Sequence, residues 1–270
     1  MMIEPLQLIA LSLIQGITEF LPISSSGHLV LLPALTDLAD QGQLLDVAAH
    51  FGTLGAVVIY VRQDIIAMTE GLLTFGRRNQ QGLTLGLLVI MATIPVIIVG
   101  LIVEMLAPAV LRLALTVALA NMVFAGLLYK ADKDFPHHRT IDDLTMQDAL
   151  IIGVMQIFAL IPGTSRSGVT MTAARARGFD RISAARFSMI LSVPVILGAT
   201  ILKSRHFFDD NTGESLMQAG LVAGLSGVTA LAAITLMMRW LAKADFKIFV
   251  YYRLALGVLL LTGLGFSIIT

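Results

Sequence analysis

Two short polar segments of the sequence combine residue types that could carry out phosphoryl transfer. The first holds Gln15 and Glu19, which are four residues apart and therefore lie on one helix face, followed by a run of serines and His28. Ser25 stands three residues before His28, and a serine hydroxyl becomes a nucleophile when a base lies beside it. We expect Ser25 to attack with His28 as base and then acid. The alternative is attack by His28 itself, through a phosphohistidine.

The second polar segment places Ser165, Arg166, Ser167 and Thr170 where a helix is expected to begin. A helix N-terminus offers free N–H groups and a partial positive charge, which favour an anion. The planar fork of Arg166 can bind two phosphate oxygens at once, and the three hydroxyl groups are further donors. We therefore predict an oxyanion site here. The structural alternative is an ion pair between Arg166 and Glu19 without a ligand.

Several of these residues also have structural explanations. Ser24 and Ser26 are typical of a turn and a helix cap, and the amide of Gln15 could bridge two helices. A carboxylate inside a membrane is costly unless it is paired or metal-bound, so Glu19 could serve in a structural ion pair. His50 could line the same site or pack in the core.

The composition indicates the environment in which these residues act. Of the 270 residues, 57% are hydrophobic and only 13% are charged, about half the ~25% that is usual in soluble domains. The zero net charge argues against binding to nucleic acid, and the absence of cysteine excludes disulfides and thiolate chemistry. The hydrophobicity also excludes a disordered chain. The sequence therefore predicts an integral membrane protein.

Six apolar stretches are predicted to be transmembrane helices, because a helix needs about 20 apolar residues to cross the hydrocarbon core. They are roughly Leu45–Val61, Leu83–Val103, Leu113–Tyr129, Phe187–Leu202, Ser215–Met238 and Leu254–Thr270.

Two further apolar stretches are interrupted by polar turns. Pro5–Leu21 is followed by a break at 22–27, and Ala149–Ile161 by a break at 162–168. Turns with unpaired backbone groups cannot face lipid, and they are tolerated only inside protein or around a wet cavity. We therefore predict two re-entrant helical hairpins that meet in the middle of the bundle.

An internal repeat is indicated when the chain is shifted by 141 residues. Gln15 then falls on Gln156, and the segment 24–27 falls on 165–168. Each half reads as one hairpin and three spans, and an odd number of spans turns the second copy upside down. Such inverted repeats carry their functional site at the interface between the copies.

The predicted fold is thus an all-α polytopic membrane protein, with six transmembrane helices and two re-entrant hairpins in an inverted-topology repeat. It forms a single membrane domain over 1–270. The first repeat covers about 1–130 and the second about 147–270, and a cytoplasmic linker joins them at about 130–148.

The distribution of basic residues predicts the orientation. The side that holds both termini carries Arg112, Lys203 and Arg205, whereas the other side carries fourteen basic residues, Arg253 among them. Basic residues are enriched in cytoplasmic loops. We therefore expect both termini outside the cytoplasm, and a first hairpin that enters from the external face.

Two motifs within the polar segments are specific enough to compare with a known family. They are Gln15-Gly16-Ile17-Thr18-Glu19-Phe20-Leu21-Pro22-Ile23-Ser24-Ser25-Ser26-Gly27-His28 and Pro162-Gly163-Thr164-Ser165-Arg166-Ser167-Gly168-Val169-Thr170. Both resemble signatures of the bacterial undecaprenyl-diphosphate phosphatases, also called bacitracin-resistance proteins. The length and the pattern of spans are similar too, so the resemblance covers essentially the whole chain.

The resemblance implies an activity and a role for each motif. Family members hydrolyse undecaprenyl diphosphate to undecaprenyl phosphate and inorganic phosphate, which recycles the lipid carrier for peptidoglycan synthesis. It implies a divalent cation, Mg²⁺ or Ca²⁺, at Gln15 and Glu19, and catalysis by Ser25, His28 and Arg166 together with Glu19. The substrate-binding candidates are Ser24, Ser26, Ser165, Ser167 and Thr170. Position 15 is glutamine where many members have glutamate, so one carboxylate fewer is available to the cation.

The resemblance also implies a bacterial inner membrane. The distribution of basic residues places the entry of the first hairpin on the external face, so we expect the site to open outward. The sequence leaves open whether the chain forms a homodimer. A second class of function is a polyprenyl-phosphate flippase or transporter, since inverted repeats and broken helices are typical of carriers. The serine and histidine favour the enzyme, because a carrier needs an anion site but no nucleophile and base.

Overall fold

Helices make up nearly all of the regular structure. The computed structural model describes residues 5–25, 27–28, 42–106, 113–135, 138–204 and 213–265. Within these residues the α-helices are α1 Pro5–Thr18, α2 Gln43–Tyr60, α3 Arg62–Leu73, α4 Gln80–Leu106, α5 Ala114–Asp134, α6 Met146–Gln156, α7 Arg166–Ala176, α8 Arg181–Ser204, α9 Gly213–Leu241 and α10 Lys247–Gly265. Two short 3-10 helices cover Ile141–Asp143 and Ile157–Leu160.

Six of these helices are long and apolar enough to cross a membrane, namely α2, α4, α5, α8, α9 and α10. Each lies at the position of a predicted span. On α4 the exposed side chains of Ile90, Ile94 and Ile98 recur every four residues, so they form one apolar stripe on the outside of the bundle. The chain is therefore an all-α polytopic membrane protein, as predicted.

Helix α3 was not predicted from the sequence. It begins two residues after the end of α2 and packs on α4. Its charged residues Arg62, Asp64 and Glu70 kept this segment out of the apolar stretches from which the spans were assigned. Asp64 accepts hydrogen bonds from Arg186 at the start of α8, so the helix lies against the end of a membrane-spanning neighbour.

Helices α6 and α7 form a hairpin that returns to the side from which it begins. They pack against each other, and Asp148 in the first turn of α6 accepts a 2.7 Å hydrogen bond from Arg177, which directly follows α7. The two open ends of the hairpin are therefore adjacent, as a re-entrant segment requires. In the first hairpin, α1 is followed by a turn and helical backbone begins again at Ser25. Most of the second half of that hairpin lies outside the described residues.

The two hairpin turns share an unusual backbone geometry. Ser24 and Ser165, which are 141 residues apart, have φ angles of 72° and 70°, a region that non-glycine residues rarely adopt. The hydroxyl oxygen of each accepts the N–H of the glycine three residues further on, Gly27 at 3.3 Å and Gly168 at 3.1 Å. In addition, α1 packs on α9 whereas α6 packs on α4, so each hairpin lies against a helix of the other half. The repeat boundaries stay predictions.

One end of the bundle gathers many of the basic residues that were assigned to the cytoplasmic side. Asp132 at the end of α5 accepts hydrogen bonds from Arg175 at 2.9 Å and from Arg181 at 2.8 Å. The ends of α5 and α7 and the start of α8 are thereby joined. Helix ends that the sequence placed on one side of the membrane thus meet in the structure.

Arg253 was counted with those residues, and that placement is wrong. Helix α10 begins at Lys247, seven residues before the predicted start of the last span, so Arg253 lies within the helix and is completely buried. A buried arginine at this depth can be stable only if its N–H groups find acceptors inside the protein.

Candidate active site

The two hairpin turns touch each other inside the bundle, as the sequence predicted. Arg166, the first residue of α7, places Nη2 3.2 Å from Oε1 of Glu19. The hydroxyl of Ser167 donates to the carbonyl oxygen of Leu21 at 2.8 Å. Both contacts bridge almost 150 residues of sequence, so they join the first polar segment to the second.

The carboxylate of Glu19 is the centre of this cluster. Its Oε2 accepts hydrogen bonds from Nε2 of Gln15 and from the hydroxyl of Ser25, each at 2.9 Å, while Oε1 faces Arg166. Nε2 of His50 lies 3.8 Å from the same Oε2. His50 therefore lines the site, which the sequence had left open. The ion pair with Arg166, expected as a structural alternative, is also present.

Ser25 and His28 do not form the expected pair within the described residues. Nδ1 of His28 lies 2.7 Å from the carbonyl oxygen of Ser24, one helical turn back, and Nε2 lies 2.6 Å from the hydroxyl of Tyr252 on α10. Both ring nitrogens are thus engaged elsewhere. The hydroxyl of Ser25 points instead to Glu19, so the carboxylate takes the place beside the serine that was predicted for the histidine.

The hydroxyls predicted to bind phosphate in the second turn all have protein partners. Ser165 caps the first turn of α7 and contacts the hydroxyl of Ser167 at 3.1 Å. Thr170 lies 2.7 Å from the hydroxyl of Ser188 on α8 and also donates to the backbone of its own helix. These bonds position the turn. A direct role of the three side chains in binding phosphate stays a prediction.

Ser24 is buried, and its hydroxyl and carbonyl oxygen are used as described above, which suits a turn residue. Ser26, the other serine considered a turn or substrate-binding residue, lies outside the described residues.

Arg253 donates hydrogen bonds to both hairpin turns. It was not identified as a site residue from the sequence. Its Nη2 donates to the carbonyl oxygens of Gly163 at 2.9 Å and Thr164 at 2.8 Å, and its Nε donates to Oδ1 of Asn121 at 2.7 Å. Nη1 reaches the carbonyl oxygen of Pro22 in the first turn at 3.5 Å. No acidic side chain pairs with it in the described part of the chain. The sequence feature that could have indicated its role is the position of this charged residue directly before the apolar stretch that begins at Leu254.

A divalent cation was expected at Gln15 and Glu19, and the donor atoms there suit a hard cation only in part. Oε1 of Gln15 is fully buried and has no hydrogen-bond partner among the described residues. An amide oxygen is a ligand type that hard cations such as Mg²⁺ and Ca²⁺ accept, but the amide nitrogen of Gln15, and not this oxygen, faces the carboxylate of Glu19. No group of three or more histidine and acidic side chains that could hold a metal occurs in the described ranges. Any ion here would need oxygen ligands from water or substrate.

Together, the fold and the site define a class of protein: a polytopic helical membrane protein in which two hairpin turns assemble a charged, hydroxyl-containing site inside the bundle. Residues 8–259 match the family described as Bacitracin resistance protein BacA, and the chain belongs to this family.

Relatives of the chain carry one shared name, "Undecaprenyl-diphosphatase". A relative from Jannaschia sp. (strain CCS1) is 46% identical over 258 residues, which cover 94% of this chain and 96% of the relative. A relative from Alcanivorax borkumensis is 45% identical over 261 residues, or 96% of this chain and 98% of the relative. A third, from Ruegeria pomeroyi, is 44% identical over 264 residues, again 96% and 98%.

Proposed function

We propose that this chain is an undecaprenyl-diphosphatase, which hydrolyses undecaprenyl diphosphate to undecaprenyl phosphate and inorganic phosphate. The observation that carries the proposal is the chain of contacts from Ser25 through Glu19 to Arg166. It joins a hydroxyl nucleophile, a carboxylate and a guanidinium across two turns. The name shared by relatives of similar length supports the choice of substrate. Its function is then to recycle the lipid carrier and to confer resistance to bacitracin.

Arg166 is proposed to bind the diphosphate. Its three hydrogen bonds, to Ser188 and to the side chain and backbone of Glu19, use at most three of its five N–H groups. The remaining donors can take phosphate oxygens in the planar arrangement that suits a guanidinium. Catalysis of phosphoryl transfer is mostly positioning and neutralisation of these oxygens, so this residue would act in both binding and turnover.

Ser25 is proposed to attack the terminal phosphorus, and Glu19 is proposed to take its proton. The new bond forms between Oγ of Ser25 and phosphorus, while the bond to the bridging oxygen breaks and undecaprenyl phosphate leaves. Water then attacks the phosphoserine and the bond between phosphorus and Oγ breaks. The protonated Glu19 returns its proton to Oγ of Ser25, and inorganic phosphate leaves with the proton of the water. We revise the sequence-based assignment of the base because the hydrogen bond of Ser25 goes to Glu19 rather than to His28.

A divalent cation, Mg²⁺ or Ca²⁺, is proposed as the cofactor, with Gln15 and Glu19 as its protein ligands. When bound it would supply positive charge to the diphosphate. Mg²⁺ is often held in proteins by one or two carboxylates together with substrate phosphates and water. The unpaired amide oxygen of Gln15 supports this small ligand set, and rotation of the amide would turn this oxygen toward the carboxylate of Glu19.

The finer localisation is also a proposal. The excess of basic residues on one side supports a cytoplasmic location for that side, even without Arg253. Both termini would then be periplasmic, in the inner membrane, with the site opening outward. A homodimer stays a prediction.

The deciding experiment measures phosphate release from undecaprenyl diphosphate by the purified protein in detergent. Ser25→Ala should retain less than roughly a tenth of the turnover, because losing a nucleophile costs far more than losing one hydrogen bond. Acid-quenched enzyme with labelled substrate should yield acid-stable phosphoserine, whereas an acid-labile adduct would assign the attack to His28. Movement of polyprenyl phosphate from one leaflet of a vesicle membrane to the other, without hydrolysis, would instead support the flippase. No contact of the described residues favours that alternative.

A further inference from the structure

The hydroxyl of Tyr252 lies 2.6 Å from Nε2 of His28, although 224 residues separate them in sequence. The two rings are stacked, with centroids 5.6 Å apart and an angle of 8° between their planes. A stacked ring and a short hydrogen bond together leave the imidazole little freedom to rotate. Neither polar segment contains Tyr252, so it was not among the predicted site residues.

The hydrogen bonds of His28 define the proton on its ring. Nδ1 faces the carbonyl oxygen of Ser24 at 2.7 Å, and because a carbonyl can only accept, Nδ1 must carry a hydrogen. In the neutral ring Nε2 is then the acceptor, and the hydroxyl of Tyr252 donates to it.

Helix α10 is anchored where it presents this tyrosine. The next residue, Arg253, donates to the carbonyl oxygens of Gly163 and Thr164 in the second turn. Adjacent residues of one helix thus contact both hairpins: Tyr252 reaches the first and Arg253 the second. Displacement of α10 would break both connections.

We propose that Tyr252 is a positioning residue for His28. It holds the imidazole with Nε2 as the acceptor of its O–H and Nδ1–H on the carbonyl oxygen of Ser24, so that the ring keeps one tautomer and one orientation. The inference rests on the proposed function, because it assigns this pair to diphosphate turnover. Tyr252 acts through His28, whereas Ser25 and Glu19 form the nucleophile and its proton acceptor.

The test uses the full chain purified in detergent, with Tyr252→Phe as the variant. Phenylalanine keeps the ring and its stacking but removes the hydroxyl. We expect kcat for phosphate release to fall roughly tenfold, the worth of one hydrogen bond of about 1.4 kcal/mol, with KM changed by less than about threefold. Tyr251→Phe, on the neighbouring exposed tyrosine, is the matched control and should leave kcat and the unfolding temperature unchanged.

A double variant tests whether the tyrosine acts through the histidine. His28→Gln combined with Tyr252→Phe should be no slower than His28→Gln alone, because the partner is already gone. A wild-type kcat for Tyr252→Phe, or losses that multiply in the double variant, would overturn the proposal.

A spectroscopic readout separates this proposal from the proposed function. In protein with ¹⁵N-labelled histidine, the His28 signals, assigned by their loss in His28→Gln, should show Nδ1 protonated and should shift at Nε2 in Tyr252→Phe. Identical His28 spectra in the two proteins would overturn the positioning role even if the wild type hydrolyses the substrate. If the wild type releases no phosphate but the spectra differ, the proposed function fails and the contact between the two residues stands.

Discussion

Nη2 of Arg166 lies 3.2 Å from Oε1 of Glu19, in a contact that joins the two halves of the chain. Both side chains are nearly buried, and each also binds a group of its own half: Arg166 donates to the carbonyl oxygen of Ser188, and Glu19 accepts from Ser25. A buried pair of this kind compensates two charges that would otherwise be costly inside the membrane. It also places the proposed phosphate-binding group beside the proposed nucleophile.

Replacing Arg166 by lysine should be nearly as damaging as replacing it by alanine. Lysine keeps the charge but loses the planar fork, and a point charge cannot bind two phosphate oxygens while it also reaches Glu19 and Ser188. We expect turnover to fall by about 10²-fold or more in both variants, as for other groups that stabilise transition-state charge. Steady-state phosphate release measures the effect. Near wild-type activity of Arg166→Lys would exclude binding of two phosphate oxygens by the guanidinium of Arg166.

Glu19→Gln should abolish most of the activity, with a loss of at least about 10²-fold in kcat. Glutamine keeps the shape of the side chain, but it cannot take the proton of Ser25 and does not neutralise Arg166. The unfolding temperature, measured alongside kcat, separates chemistry from stability. If Glu19→Gln retains full activity, the residue is structural and Ser25 must rely on another base.

Gln15→Glu tests the proposed cation. The substitution adds a second carboxylate beside Glu19, so the concentration of Mg²⁺ or Ca²⁺ needed for half-maximal activity should fall, by about tenfold, because ligand charge raises affinity for hard cations. The measurement is a metal titration after treatment with chelator. Wild-type activity that persists in excess chelator would remove the cation from the mechanism.

Single cysteines can test the proposed orientation, since the chain has no native cysteine. Gln43→Cys at the start of α2 and His138→Cys before α6 both replace exposed residues. In intact spheroplasts an impermeant thiol reagent should label the first and spare the second. The reverse labelling pattern would show that the chain has the opposite orientation in the membrane.

Arg253→Met should destabilise the protein by more than about 2 kcal/mol, because it leaves the carbonyl oxygens of Gly163 and Thr164 and the side-chain oxygen of Asn121 without their donor. Arg253→Lys should recover only part of the lost stability, because one ammonium group cannot reach both Asn121 and the carbonyl oxygens of the second turn. Thermal unfolding in detergent provides the measurement. Unchanged unfolding temperatures for both variants would show that the two turns hold together without this residue.

The sequence by itself determined the class of protein, the positions of the six spans and the location of both polar turns. These features depend on local properties: the length of an apolar run, and the proline, glycine and serine residues that end it. The family signatures of the two turns are equally local. The equivalence of Ser24 and Ser165, seen first as a shift of 141 residues, is repeated in their backbone angles because each begins a helix in the same way.

Only the tertiary structure decided which side chains meet. Spacing along the chain suggested Ser25 with His28, yet Ser25 contacts Glu19, and His28 contacts Tyr252, which the folded bundle brings within reach. Arg253 looked like a loop charge, because the acceptors that make its burial possible lie on segments far away in sequence. Local patterns predict where a helix lies, but the partner of a buried polar group depends on how the helices pack around it.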